Sequence, residues 1–205
     1  GVCRWMEAEF CAAERQAALQ NGTGPFQELD RTAASAPAGS DGVVFLPYMA
    51  GERSPIWDEH AKGVFYGLDF TKGRAHMLRA GLEGVAFSLR HNLEAAAEAG
   101  APVNELRSMG GAANSRLWTQ IKADVTGKRI VVPASDTATT LGAVILAGVG
   151  VGLYSSFEEA VRRTVRVRRE HLPNPENAAV YDQNYQTYLA LYRQLKPVMA
   201  GEQKE

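Results

Sequence analysis

Two adjacent glycines, Gly110 and Gly111, separate a short apolar run from a helical pattern in Ser108-Met109-Gly110-Gly111-Ala112-Ala113-Asn114-Ser115-Arg116-Leu117-Trp118. A strand that turns through glycine into a helix lets backbone approach a ligand closely and aims the free amides of the helix start at anionic oxygen. That chemistry suits a nucleotide. Asn114 carries donors and an acceptor on one amide, so it can read a base or ribose edge, or it can cap a helix opening at Ser115. A tight turn with an Asn cap fits the same residues, and the glycines alone do not separate the two readings. Other chemistry finds less support. His60, His76, His91 and His171 show no metal-ligand spacing, and the two cysteines lack a partner at CxxC distance. Ser115 lacks the GxSxG frame of a hydrolase nucleophile. Arg162, Arg163, Arg166, Arg168 and Arg169 read as a solvated basic face rather than a phosphate-binding patch.

The elements that must position the bend alternate along the chain. Residues 4–19 predict one helix with Met6, Phe10, Ala13 and Ala17 on its buried face, closed by Asn21-Gly22-Thr23-Gly24-Pro25. A shorter helix over 25–34 follows, with Phe26, Leu29 and Ala33 at helical spacing, and then a linker-like stretch over 35–42 that is the one candidate hinge. Val43-Val44-Phe45-Leu46, stopped by Pro47, predicts a buried strand, and a second short strand falls at 64–68. Leu78, Leu82, Val85, Leu89 and Leu93 mark one face of a long helix that ends at Gly100. Beyond it come a strand over 106–109, the glycine bend, a helix over 115–126, a strand over 129–132 and an Ala/Gly-rich helix over 140–149. Tyr181, Tyr185, Tyr188, Tyr192 and Leu195 form a stripe that predicts a terminal helix docked on the body. This order is α/β.

Composition narrows the function classes. The 205 residues are 45% hydrophobic, enough to bury a core, and 22 Lys plus Arg against 23 Asp plus Glu leave a net charge of -1. No overall field draws in nucleic acid or anionic lipid, and no apolar run reaches the roughly 20 residues of a membrane-spanning helix. Cys3 and Cys11, about 12 Å apart along a helix, are too distant for a disulfide, which with the absent leader pattern reads as reduced and cytoplasmic. The chain opens Gly1-Val2-Cys3-Arg4-Trp5 without a Met, as an internal piece of a longer protein would.

Several segments together resemble the FGGY carbohydrate kinases, most of all their xylulokinase members. Gly110 to Trp118, with Gln120-Ile121 and Ala123-Asp124-Val125, resembles that family's adenosine-binding turn and the helix after it, Ala112 standing where a third glycine is common. Gly63-Val64-Phe65-Tyr66-Gly67-Leu68 followed by His76-Met77-Leu78-Arg79-Ala80-Gly81-Leu82-Glu83 resembles the family's second signature, with Gly81 an unusual occupant. Leu46-Pro47-Tyr48-Met49-Ala50-Gly51-Glu52-Arg53-Ser54-Pro55 resembles a loop shared by xylulokinases and gluconokinases, although Glu52 and Arg53 also fit a plain surface ion pair. Asp136-Thr137-Ala138-Thr139-Thr140-Leu141-Gly142-Ala143 resembles an acidic, small-residue helix start that borders the nucleotide pocket, and Cys3-Arg4-Trp5 a segment near the nucleotide.

The resemblance implies a ribonuclease H-like fold of the actin and hexokinase type, here an incomplete copy spanning residues 1–205. It implies ATP and Mg2+ as cofactors and Gly110, Gly111, Ala112, Asn114 and Asp136 as nucleotide-binding residues, with Arg4 a further candidate. The implied catalytic base is an Asp upstream of the matched region; none of Asp41, Asp58, Asp69, Asp124 or Asp136 sits in its motif, so no catalytic residue is assigned. The expected partners are a sugar, bound through a domain this chain lacks, and a second copy of the chain in a homodimer; nucleic acid and membrane are not expected. A gluconokinase, or a non-catalytic module binding nucleotide or a partner through the tyrosine stripe, are the alternatives.

Overall fold

The computed structural model describes residues 1–134 and 137–201. The helix expected over 4–19 is two, α1 (Val2–Phe10) and α2 (Ala12–Asn21), broken at Cys11. Cys11 and Glu14 are buried where a continuous helix would bury Ala13, which is exposed. The break rotates α2 so that Glu14 Oε1 reaches Thr32 Oγ1 at 2.7 Å and Arg74 Nη2 at 2.9 Å. Arg15 closes the end of α1, donating to the carbonyls of Glu7 (3.1 Å) and Ala8 (2.9 Å). Both cysteines are free thiols, as expected, and burial pushes Cys3 and Cys11 each to about 11. Helix α3 (Pro25–Ala34) follows with Pro25 at its first turn, burying Leu29 and Ala33 and leaving Phe26 part-exposed.

Strand β1 (Val44–Leu46) is wholly buried and pairs antiparallel with β2 (Val64–Tyr66), shorter than the 64–68 expected. Helix α4 (Arg74–Glu98) crosses beneath them. It was expected to bury one face, yet every side from Leu78 to Gly84 is buried, while Val85, Leu89 and Leu93 are only half so. Gly84 permits this: a Cβ there would lie 2.3 Å from the Phe45 carbonyl oxygen, so the helix backbone lies against β1.

Three strands form a second sheet: β3 (Glu105–Arg107) runs parallel to β4 (Arg129–Pro133), and β5 (Val167–His171) runs antiparallel to β4. Between β3 and β4 lies α5 (Arg116–Thr126); α6 (Ala138–Gly150) and α7 (Phe157–Thr164) link β4 to β5, and α8 (Ala178–Met199) closes the chain. The tyrosine stripe of α8 is core, as expected: Tyr181, Tyr185 and Tyr188 are each 1% exposed and Tyr192 8%. Every hydroxyl on it has a partner, Glu83 for Tyr181, Glu94 for Tyr185, Tyr48 for Tyr188 and Asp58 for Tyr192. That stripe is therefore unavailable to a partner subunit.

The stretch over 35–42 is a fastened loop, not a hinge. Glu83, fully buried on α4, accepts hydrogen bonds from Arg79 Nε (2.8 Å), the Gly39 amide (3.0 Å), Ser40 Oγ (3.1 Å) and Tyr181 Oη (3.1 Å). Arg79 donates further to the Ala36 carbonyl (2.9 Å) and to Tyr181 (3.1 Å), and Asn184 to the Gly39 carbonyl (2.7 Å). Burial raises the Glu83 carboxyl above the ordinary range and Arg79 opposes that rise. A buried charge kept by four fixed partners is costly to disrupt on one side. Glu83→Ala is expected to lower the unfolding free energy by about 3–5 kcal/mol in urea titration, and Tyr181→Phe by about 1 kcal/mol. Near-native stability of Glu83→Ala would show that the pair does not organise the loop.

Candidate nucleotide-binding site

Strand β3 continues to the bend through Ser108, whose amide donates to the Val131 carbonyl at 2.9 Å. Gly110 then takes φ +75° and ψ -170°, a conformation closed to residues with a Cβ, and Gly111 to Asn114 form one 3-10 turn. Helix α5 starts at once. Its cap is Ser115, whose Oγ accepts from the Trp118 amide at 2.9 Å. Of the two roles open to Asn114, the cap is thus supplied by its neighbour, and Asn114 itself is exposed. Trp118 Nε1 donates to the Leu82 carbonyl at 3.0 Å, which ties the start of α5 to α4.

Among the described residues, no acceptor meets the Gly111 or Ala112 amide. A Cβ built on Gly111 meets nothing within 4 Å, so the space beside the bend is open. That space is the mouth of a cavity of about 790 Å³, lined by Gly111, Ala112, Asn114, Ser115 and Trp118 on one side. The opposite walls come from Val2, Cys3 and Arg4 of α1, Phe26, Gln27, Leu29 and Asp30 of α3, Leu82, Val85 and Ser88 of α4, and Pro47 and Glu52 of the loop after β1. Its volume lies in the usual range of small-molecule sites, and apolar walls with a few polar groups are their usual lining. Burial raises the Asp30 carboxyl above its ordinary value, with the Ser115 hydroxyl opposing, so its charge sits poorly solvated at the cavity wall. Lys122 lies 3.8 Å over the Trp118 ring behind that wall, and burial lowers its ammonium.

The structure brings Gly111, Ala112 and Asn114 together at this cavity, with the exposed Arg4 also lining it, while Gly110 makes the turn before them and does not line it. Asp136 lies outside the described residues. Glu52 also reaches the cavity, but not as half of a surface ion pair with Arg53: its Oε1 accepts from the Arg53 amide at 2.8 Å and the Ser54 amide at 3.4 Å, and Ser88 Oγ donates to Oε2 at 3.5 Å. Two residues of the expected solvated face, the exposed Arg168 and the half-buried Arg169, are also site neighbours. On β5, Arg169 donates to the Ala113 carbonyl and Arg168 to Asn114 Oδ1 at 3.3 Å. The alternation Val165-Arg166-Val167-Arg168 is a period-two signal at the entry to β5, which begins at Val167, and Ser156 followed by Glu159 marks the cap of α7, where Ser156 Oγ accepts the Glu159 amide at 3.2 Å.

The sequence pattern of the FGGY family of carbohydrate kinases, C-terminal domain, matches residues 1–151. The chain belongs to that family. The xylulose kinase of Staphylococcus epidermidis is 36% identical over 175 residues, covering 85% of this chain and 35% of its own length. The gluconokinase of Bacillus subtilis is 35% identical over 196 residues, covering 95% and 38%. In three dimensions the xylulose kinase of Rhodospirillum rubrum superposes with a TM-score of 0.83 at 33% identity, over 97% of this chain and 38% of that one. This FGGY chain thus has the expected α/β fold, spans little more than a third of the length of these relatives, and places its glycine bend within the matched residues.

His171 gives the site's surroundings a pH signature. Arg169 Nε donates to His171 Nε2 at 3.1 Å, and because a guanidinium cannot accept, His171 is neutral with its proton on Nδ1, facing Gln120 Oε1 at 2.9 Å. Burial lowers His171, as do Arg169 and Arg116, while Asp124 opposes them. A basic group depressed in the fold contributes stability that is complete above its unfolded value of about 6.5 and is lost as pH falls below it through the folded value. The melting temperature is expected to fall between pH 7 and pH 5, with a shallower fall in His171→Gln. Identical slopes for the two proteins would contradict the assignment.

Proposed function

We propose that the parent protein is a cytoplasmic ATP-dependent sugar kinase acting on xylulose, and that this chain is its C-terminal nucleotide-binding domain without the sugar-binding half. The observation that carries this reading is the bend at Gly110-Gly111, after which Gly111 and Ala112, whose amides have no acceptor among the described residues, line an open cavity between α1, α3, α4 and α5. Amides at a helix start favour the anionic or acceptor edges of a nucleotide, and the 790 Å³ cavity has the size and apolar lining for a purine nucleoside. ATP fits these groups. Mg2+ would be held mainly by the nucleotide's phosphates, since no group of three or more His, Cys, Asp or Glu side chains able to hold a metal occurs among the described residues.

Phosphoryl transfer depends on positioning and on neutralising charge. In this reading Gly111, Ala112 and Asn114 orient the nucleotide, the walls from α1 and α3 keep water from the base, and the sugar and the base that deprotonates it come from the upstream domain. Asp136 belongs to the reading as a further nucleotide contact. The exposed apolar side chains of α6 and its surroundings, Val144 at 52% and Leu146 at 63%, support a larger parent domain that covers them. Gluconate is the second substrate, favoured by the match to a gluconokinase over nearly the whole chain.

Gly111→Val tests the site at a position where an added Cβ meets nothing within 4 Å. Overpacking against a bound nucleotide costs about 1–3 kcal/mol, so the parent protein is expected to lose roughly tenfold to a hundredfold in ATP affinity by calorimetry, with an unchanged melting temperature. Unaltered affinity would place the nucleotide elsewhere. In a coupled assay the parent phosphorylates xylulose and this chain alone does not; turnover by the chain alone would overturn the division of labour.

A further inference from the structure

The family pattern ends at residue 151, yet two hydrogen bonds reach the bend from beyond it. Both come from β5. Arg169 donates through Nη2 to the Ala113 carbonyl, and Arg168 through Nη2 to Asn114 Oδ1 at 3.3 Å. Arg169 is itself held in place by His171 Nε2, His171 by Gln120, and Gln120 by Asp124 Oδ1 at 2.7 Å and the Leu172 carbonyl at 2.8 Å. Asp124 is fastened in turn by the Asn174 amide and Asn177 Nδ2, each at 2.8 Å. A continuous polar chain therefore runs from the C-terminal turn of α5 through β5 to the carbonyl in the middle of the bend.

The chemistry of these contacts fixes a direction. A guanidinium has donors and no acceptor, so whatever faces Arg168 must be the oxygen of the Asn114 amide. The Asn114 NH2 group then points the other way, and Asn114 lines the cavity mouth. We infer that β5 is a positioning strand for the nucleotide site: Arg169 holds the bend by its Ala113 carbonyl, and Arg168 orients Asn114 so that it offers a donor to an acceptor nitrogen or oxygen of the bound nucleoside. This rests on the nucleotide reading above and adds to it the polarity of recognition. Neither arginine touches the nucleotide; both act through the residues they hold.

A positioning role leaves a mark that a merely structural one does not. In the full-length parent protein, Arg168→Met removes the donor and keeps the aliphatic stem, while Arg169→Lys keeps a charge and donors on a single nitrogen in place of the guanidinium fork. ATP affinity is measured for each alongside 1-deaza-, 3-deaza- and 7-deaza-ATP and a 2′-deoxy analogue, each lacking one acceptor. Wild type is expected to discriminate against one of them by about threefold to tenfold, the worth of one hydrogen bond. Arg168→Met and Asn114→Asp are expected to lose that discrimination while binding ATP about as weakly as wild type binds the analogue, with the KM for sugar and the melting temperature unmoved. Arg169→Ala is expected to weaken all the nucleotides together, with partial rescue in Arg169→Lys.

Retained discrimination in Arg168→Met, or equal loss for every analogue accompanied by a lower melting temperature, would overturn the inference while leaving the nucleotide site intact. If wild type bound no ATP, or if Gly111→Val bound it normally, the nucleotide reading and this inference would fall together.

Discussion

A carboxylate with no exposure to water must be met on every side, and Glu83 is met by α4, by the loop after α3 and by α8 at once. Those three pieces of chain lie far apart in sequence, and the need to compensate one buried charge brings them together. The consequence travels one residue back along α4. The carbonyl of Leu82 accepts the indole of Trp118, so the start of α5 is placed by the same helix that carries Glu83. Since α5 begins where the glycine bend ends, the position of the bend is inherited from the buried ion pair. Gly111 and Ala112, whose amides meet no acceptor among the described residues, line a cavity whose other walls are α1, α3 and α4, and α1 and α3 both pack on α4.

The bend is thus supported from two directions with different physics. From α4 it is held by packing and one indole hydrogen bond, and from β5 by guanidinium groups on a carbonyl and an amide oxygen. Backbone that must present unpaired amides to a ligand cannot use them for its own stability, so its carbonyls and flanking side chains carry the fastening. Gly110 contributes the φ of +75° that lets β3 run straight into the turn.

Much of this was legible in the sequence because its signals are local. Strand, glycine pair and helix are consecutive at 106–126, and hydrophobic spacing gave α3, β1, α4, β4 and α8 to within a few residues. The stripe of tyrosines was read as core because its spacing is helical and its residues are large. What was not legible depends on contacts between distant residues. The break at Cys11 arises because Glu14 is drawn to Thr32 and Arg74, and a helical pattern over 4–19 carries no trace of either partner. The stretch over 35–42 is glycine- and serine-rich and reads as a hinge, but Arg79, Glu83 and Asn184 pin it. Asn114 and Ser115 are both good caps, and the one chosen follows from the other's use by Arg168. The basic run over 162–169 is the solvated face its charge indicates at Arg162, Arg163, Arg166 and Arg168, and only the half-buried Arg169, drawn to the Ala113 carbonyl, departs from it.

The most direct measurement of the central claim is a crystal structure of the parent protein with a non-hydrolysable ATP analogue. The nucleotide is expected in the cavity between α1, α3 and α5, with an acceptor atom about 3 Å from the Gly111 or Ala112 amide. An analogue bound with its base and phosphates away from the bend, and the two amides facing solvent, would contradict it.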